Sequence, residues 1–384
     1  MMQNFFDFGE AERRKKQLEN RFEELKNGDR DVYIFGVGEY AEKLKAFLQL
    51  KGIAVAGFVV NDHFADKIPG VLPLSKVVSL DNMNLIFGLS CGYSRWFYKK
   101  VDQIQKSISK CVNSDFFVIS DYWLVKQGEL HLNHETFDSF YLKEHFDEFE
   151  QTYNLLADDL SKKVMSEYLY TCVCLDASRL AQLGTDSDYE YDLELLFNRC
   201  NEGVVIECGA FDGKTITQIA EYTKNKYNMI ALECDQENYR KCCERVAKFP
   251  NIKVLKFGAW DKQAKLTIVQ QNSASYLKEV DECSECENVV DVVNVDSITS
   301  KRIAALIMDI EGSELKALKG AQNAIKNGCN LAVRVYHKKE DLITIPQYIK
   351  KLNSNYKFYI RFERGANQCR TGIETTLYAI FASS

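Results

Sequence analysis

The sequence predicts an α/β protein built on two successive open, doubly wound sheets. Short apolar runs alternate with helical stretches of about ten to fifteen residues, the rhythm of βαβ units. Two of those runs end in glycine turns, GVGEYA at 36–41 and GAFDG at 209–213. Between them lies a polar, helix-rich stretch with no glycine from 141 to 183. A chain of 384 residues is too long for one small core, and at about 150 residues per domain it makes two domains or three.

In chain order, residues 11–26 (AERRKKQLENRFEELK) combine strong helix formers with Glu-to-Lys/Arg spacings, which predicts an exposed or partner-packing helix. Strands at 31–35 and 53–60 flank the GVG turn and a helix through Leu50, and further strands are read at 84–88 and 115–119. The expected organisation is an N-terminal helix over 1–27, a Rossmann-like accessory domain over 28–125, a helical connector over 126–200 and a second α/β domain over 201–384. In that last domain strands are read at 204–207, 229–233, 252–257, 304–308 and 331–336. Helices are expected at 313–326 and 345–352, and a hairpin-like pair with an inserted loop at 356–362 and 375–381.

The composition, 46% hydrophobic and 27% charged, is that of a soluble globular protein. A net charge of −6, with no run of Lys and Arg interleaved with aromatics, argues against nucleic acid and for a sugar or other small substrate. No stretch of about 18 apolar residues occurs, so no transmembrane span is expected, and the acidic N-terminus is not a signal peptide. The odd total of thirteen cysteines cannot pair completely, which favours a reducing cytoplasm. Cys283 and Cys286 have the spacing of half a zinc site but lack a second pair nearby, so a surface loop is expected. His131 and His134 are read the same way.

In an open α/β sheet ligands bind beyond the carboxyl ends of the strands. After the first strand of the second domain come Glu207, Gly209, Phe211, Asp212 and Gly213, a tight turn that lets a ligand approach the backbone and the next helix N-terminus. After the second comes Glu233, placed to accept hydrogen bonds from ribose hydroxyls, with Asp235 beside it. After the third, Gly258, Ala259, Trp260 and Asp261 offer backbone, an aromatic face and an acid to an adenine ring. After the fourth come Asp309 and Glu311, which share a face if Ile310 stays extended. Glu207 and Asp212 would repel a pyrophosphate, whereas the cationic sulfonium and amino group of S-adenosylmethionine (SAM) would be stabilised by them.

These segments, with LECDQEN (232–238), FGAW (257–260), MDIEGSELKALKGA (308–321) and VYHKKEDLITIPQYIKKLNSNYKFYIRF (335–362), resemble the motifs of FkbM-type SAM-dependent methyltransferases, in order and spacing. The resemblance covers about 204–381 and implies a class I methyltransferase fold that methylates oxygen atoms of sugars, glycans or related natural products. Arg334 is a departure: many relatives carry a small or acidic residue there. The first domain, with GVGEYA and GFVVND (57–62), loosely resembles the Rossmann-like N-terminal domain of sugar N-acyltransferases.

Methyl transfer to oxygen needs in-line positioning and a base. His337, the one histidine of the second domain, has an ordinary pKa suited to that role. Its rival is Asp309, which with Glu311 could also ligate a divalent metal or serve the helix from Ser313. The sequence assigns no metal. The expected function is a cytoplasmic SAM-dependent O-methyltransferase for a sugar, glycan or nucleotide-linked sugar, with a homo-oligomer through the N-terminal domain or helices compatible with the pattern. The competing readings are a scaffold with a degenerate methyltransferase fold and a nucleotide-sugar-modifying enzyme using the N-terminal domain.

Overall fold

The computed structural model describes residues 5–80, 82–88, 95–108, 115–118, 137–174, 178–184, 189–197, 200–271, 274–279, 289–363 and 374–382. His131, His134, Cys283 and Cys286 lie outside them. The chain divides into two compact units, one made of 1–132, 166–182 and 366–373, the other of 133–165, 183–365 and 374–384.

The first unit begins with the helix Phe8–Asn27, whose first turn is capped by Asp7 accepting from the N–H groups of Gly9 and Glu10, one of the standard ways to satisfy orphan donors. Its sheet contains β1 (Asp31–Phe35), β2 (Gly57–Val60), β3 (Leu72–Pro73), β4 (Met83–Phe87) and β5 (Asp115–Val118). The order is β3-β2-β1-β4-β5, parallel throughout. All of β4 is buried and so is β1 after Asp31. This is why both read as unbroken apolar runs: parallel strands are covered on both faces. The second strand starts at Gly57, four residues later than its apolar run suggests, and the two-residue β3 leaves no periodic signal.

The second unit carries β6 (Val204–Cys208), β7 (Asn228–Leu232), β8 (Ile252–Leu255), β9 (Gly258–Trp260), β10 (Ala264–Gln271), β11 (Ala274–Glu279), β12 (Val289–Asn294), β13 (Ile303–Met308), β14 (Asn330–Arg334), β15 (Tyr356–Phe362) and β16 (Thr375–Phe381). Seven of them form one sheet in the order β15-β16-β14-β13-β6-β7-β8. It is parallel except for β16, which runs antiparallel between β14 and β15. Strand order reverses between β6 and β13, so their carboxyl ends form the topological switch point where such sheets bind ligands. Every residue of β6, β13 and β14 is buried.

Two expectations are corrected here. The stretch 258–260 is strand β9, in a separate four-stranded sheet of order β11-β10-β12-β9 that had no counterpart in the sequence reading. The helix expected over 313–326 is broken into Glu314–Lys319 and Gln322–Lys326. Gly320 lies at the break, where an added Cβ would come within 2.1 Å of the Trp260 carbonyl oxygen, so the helix end is pressed against β9.

The switch point is drawn together by backbone. The Asp309 N–H donates to the Cys208 carbonyl at 3.1 Å, and Gly209 (φ +83°) leaves only 2.0 Å between an added Cβ and the Asp309 carbonyl oxygen. A side chain there would meet both a left-handed backbone and a hard clash. Gly209→Ala is therefore expected to cost at least about 2 kcal/mol and to lower the melting temperature by several degrees in a thermal scan; an unchanged transition would refute the contact.

Candidate functional site

The first wall of the switch point is the turn after β6. Gly213, also left-handed, starts the helix Lys214–Tyr222, and an added Cβ would lie 2.9 Å from Cys242 Sγ, so the turn packs closely on the next helix. Asp212 is turned into this frame: its Oδ1 accepts from the Lys214 N–H at 3.1 Å and its Oδ2 pairs with Arg245. Phe211, by contrast, is 57% exposed and has φ +49°. A non-glycine residue held there costs about 1–3 kcal/mol, strain that marks the turn as shaped for more than packing.

Glu233, just beyond β7, clamps that turn. Its Oε2 accepts from the Phe211 N–H at 2.8 Å and its Oε1 from the Asp235 N–H at 2.8 Å, and Asp235 in turn caps the helix Gln236–Val246. Burial pushes the Glu233 carboxyl up to about 7, against the lowering effect of those two backbone bonds. Glu207 inside β6 is fully buried; burial first, then the charges of Glu190, Asp309 and Glu233, hold it well above the carboxylate range. One of its oxygens, Oε2, has no hydrogen-bond partner among the described residues.

Gly258, Ala259 and Trp260 lie buried in β9. Trp260 packs with Leu266 and Val292, Lys316 Nζ stands 5.3 Å from its ring centroid, and its indole N–H has no acceptor among the described residues.

The second wall is made by the ends of β13 and β14, where Asp309, Glu311 and His337 come together. His337 Nε2 lies 3.5 Å from Asp309 Oδ1 and 3.4 Å from Glu311 Oε2. Ile310 does not continue an extended strand to place them: β13 ends at Met308, and Glu311 turns back with φ +52°. The two carboxylates still converge because the turn, rather than strand alternation, aims them.

Glu314, unremarked in the sequence, organises this turn. Its Oε1 accepts from the Ile310 N–H at 3.0 Å and meets His337 Nδ1 at 2.8 Å, while the residue is wholly buried. Burial by itself would lower the His337 pKa, but the charge and hydrogen bond of Glu314, followed by Asp309 and Glu311, raise it to about 9. The ordinary histidine pKa expected from sequence is thus corrected: at neutral pH the ring is an imidazolium among carboxylates. Asp309, Glu314 and His337 each present one ligand-type atom within 4.8 Å of the others.

Arg334, the departure noted in the sequence, is 1% exposed. Its Nη1 donates to Glu363 Oε2 at 2.8 Å and to Thr376 Oγ1 at 2.7 Å. Its Nε lies 3.4 Å from Asp309 Oδ2, its Nη2 3.7 Å from Glu374, and its guanidinium stands 4.4 Å from the centroid of Tyr191. Glu363 also accepts from the Tyr378 hydroxyl and the Asp192 N–H. A charge inside the apolar run LAVRVY was the available signal for Arg334; Glu363, 29 residues further on, had none.

Residues 207–358 match a family model described as "Methyltransferase FkbM domain", so this segment of the second unit is similar to that domain. The fold extends to a solved structure, Methyltransferase FkbM from Methylobacillus flagellatus KT, at a TM-score of 0.66 and 18% identity, covering 97% of this chain and 98% of that one. An rRNA methylase from Streptococcus thermophilus (13% identity, 50% of this chain, 94% of that one) and a putative rRNA-methylase from Clostridium thermocellum (10%, 50% and 93%) match at TM-scores of 0.32 and 0.34. No curated protein matches.

Arg334→Met would leave Glu363 and Asp309 without their shared cation, at a cost of roughly 3–5 kcal/mol. Urea denaturation is expected to show that loss and a partial recovery in the double variant Arg334→Met/Glu363→Gln; equal stability of Arg334→Met and the parent would show the network to be energetically idle.

Proposed function

We propose that the protein is a SAM-dependent O-methyltransferase that transfers a methyl group to a hydroxyl of a sugar, a glycan or a nucleotide-linked sugar. The observation that carries this reading is the convergence of Asp309, Glu311 and His337 at the switch point, beside the turn that Glu233 clamps. Methyltransferase folds use SAM in general, and the acids here suit a cationic donor better than a phosphate-bearing one.

On this reading Gly209 and Gly213 admit the donor to the backbone, Phe211 covers it, Glu207 offers a buried acceptor oxygen, and Asp309 supplies negative potential to its amino group and sulfonium. Asp212 and Asp235 act indirectly, by fixing the turn and the next helix. Glu233 takes the ribose hydroxyls on the lone pairs left over from its two backbone bonds. The Trp260 indole N–H, with Gly258 and Ala259 behind it, offers a donor to an adenine ring nitrogen.

The transfer is a single displacement. The acceptor oxygen attacks the methyl carbon, the carbon–sulfur bond breaks with its electron pair left on sulfur, and the acceptor proton passes to Asp309 or Glu311. His337 is too firmly protonated to be the first base; it holds the carboxylates in place. Orientation of the two reactants supplies most of the rate.

Two measurements test the reading. A Glu233 carboxyl with a pKa raised to about 7 is increasingly ionised as pH rises through neutrality, and the ionised form is the better hydrogen-bond acceptor. SAM affinity by calorimetry should therefore strengthen several-fold between about pH 6 and pH 8, and the trend should flatten in Glu233→Gln; a flat parent profile would remove Glu233 from the ribose site. Mass spectrometry on a panel of nucleotide sugars and glycans should show methyl gain. Asp309→Asn should lower turnover by about a hundredfold while changing SAM affinity little, and undiminished turnover would exclude Asp309 as the proton acceptor.

A further inference from the structure

We infer that the cluster at the ends of β13 and β14 is a divalent-cation site, with Asp309 and His337 Nε2 as ligands, Glu314 behind the imidazole and Glu311 alongside. Asp309, Glu314 and His337 each present a ligand-type atom within 4.8 Å of the other two, and Glu311 Oε2 is 3.4 Å from the His337 ring nitrogen.

Charge balance carries the argument first. Among the described residues, three carboxylates, Asp309, Glu314 and Glu363, meet two cationic side chains, Arg334 and His337. Arg334 is divided among Asp309, Glu363 and Glu374. Glu314 is wholly buried, and its Oε2 has no hydrogen-bond partner among the described residues. Burying carboxylate charge without an equal countercharge is costly, and a bound cation is one of the few ways to offset it.

Ligand orientation is the second, independent observation. The His337 side chain is 2% exposed, and Nε2 makes no hydrogen bond within the described residues. Nδ1 is engaged by Glu314 at 2.8 Å, which turns Nε2 toward Asp309 and Glu311. A carboxylate behind an imidazole fixes the tautomer and raises the basicity of the free nitrogen, the arrangement found behind metal-bound histidines. One imidazole with several carboxylates suits a first-row ion such as Mn2+ or Zn2+.

The inference rests on the methyltransferase reading only for its role. There the ion would take the place of the Nε2 proton and accept the acceptor hydroxyl at an open position, making it more acidic. As that oxygen bonds to the methyl carbon, the carbon–sulfur electron pair stays on sulfur and the hydroxyl proton passes to Glu311.

The experiment is a titration of the EDTA-dialysed full chain with Mn2+, read by electron paramagnetic resonance of the free ion, with Zn2+ as competitor. One ion per chain is expected. Asp309→Asn and His337→Gln should each weaken it by about tenfold or more, and Asp62→Asn, in the first unit, should leave it unchanged. Thermal melts check that each variant is folded, and Glu311→Gln, whose side chain is 34% exposed, replaces any that is not. No stoichiometric binding of either ion by the folded parent, or equal binding by the folded variants, would overturn the inference. A separate SAM titration in EDTA keeps the two readings apart: SAM binding without Mn2+ binding removes the cation site alone, and Mn2+ binding without SAM binding removes the donor assignment alone.

Discussion

The second unit is organised around a guanidinium that never reaches water. Arg334 stands at the end of β14, in the middle of the sheet, and ties Asp309 on the neighbouring strand end to Glu363 at the end of β15. Desolvating that cation is expensive, and only a surplus of carboxylates makes it tolerable. The surplus is what then gives the strand ends their negative potential. One buried charge therefore sets the electrostatics of the whole switch point, and Asp309, Glu363 and Glu374 are placed by their distances to it.

The turn after β6 depends on a different device. Glu233 accepts from the Phe211 N–H with one oxygen and from the Asp235 N–H with the other, which ties the two loops together. The strained Phe211 backbone is held from outside by that clamp, in the way strained residues at binding sites usually are.

Sequence legibility followed burial. β6, β13 and β14 could be read because strands covered on both faces must be apolar throughout, and their carboxyl ends then located Gly209, Asp309, Glu311 and His337 at the switch point. The small sheet of β9 to β12 could not: three-residue β9 looks like a turn beginning at Gly258, and β10 mixes Lys265, Thr267 and Gln270 with its apolar residues. Glu314 was invisible for a sharper reason. In a helix-forming string such as ELKALK a glutamate reads as solvent-facing, and only tertiary contact with His337 turns it inward. The pKa of His337 was misjudged on the same account, since the carboxylates that raise it come from another strand end.

The meeting of Cys208 and Asp309 through one backbone hydrogen bond, with Gly209 pressed on the Asp309 carbonyl, has a consequence for how the domain can diversify. The loops after β6 and β13 share a single seam, so neither can be lengthened or remodelled without displacing the other. New specificity must enter from segments that do not touch this seam.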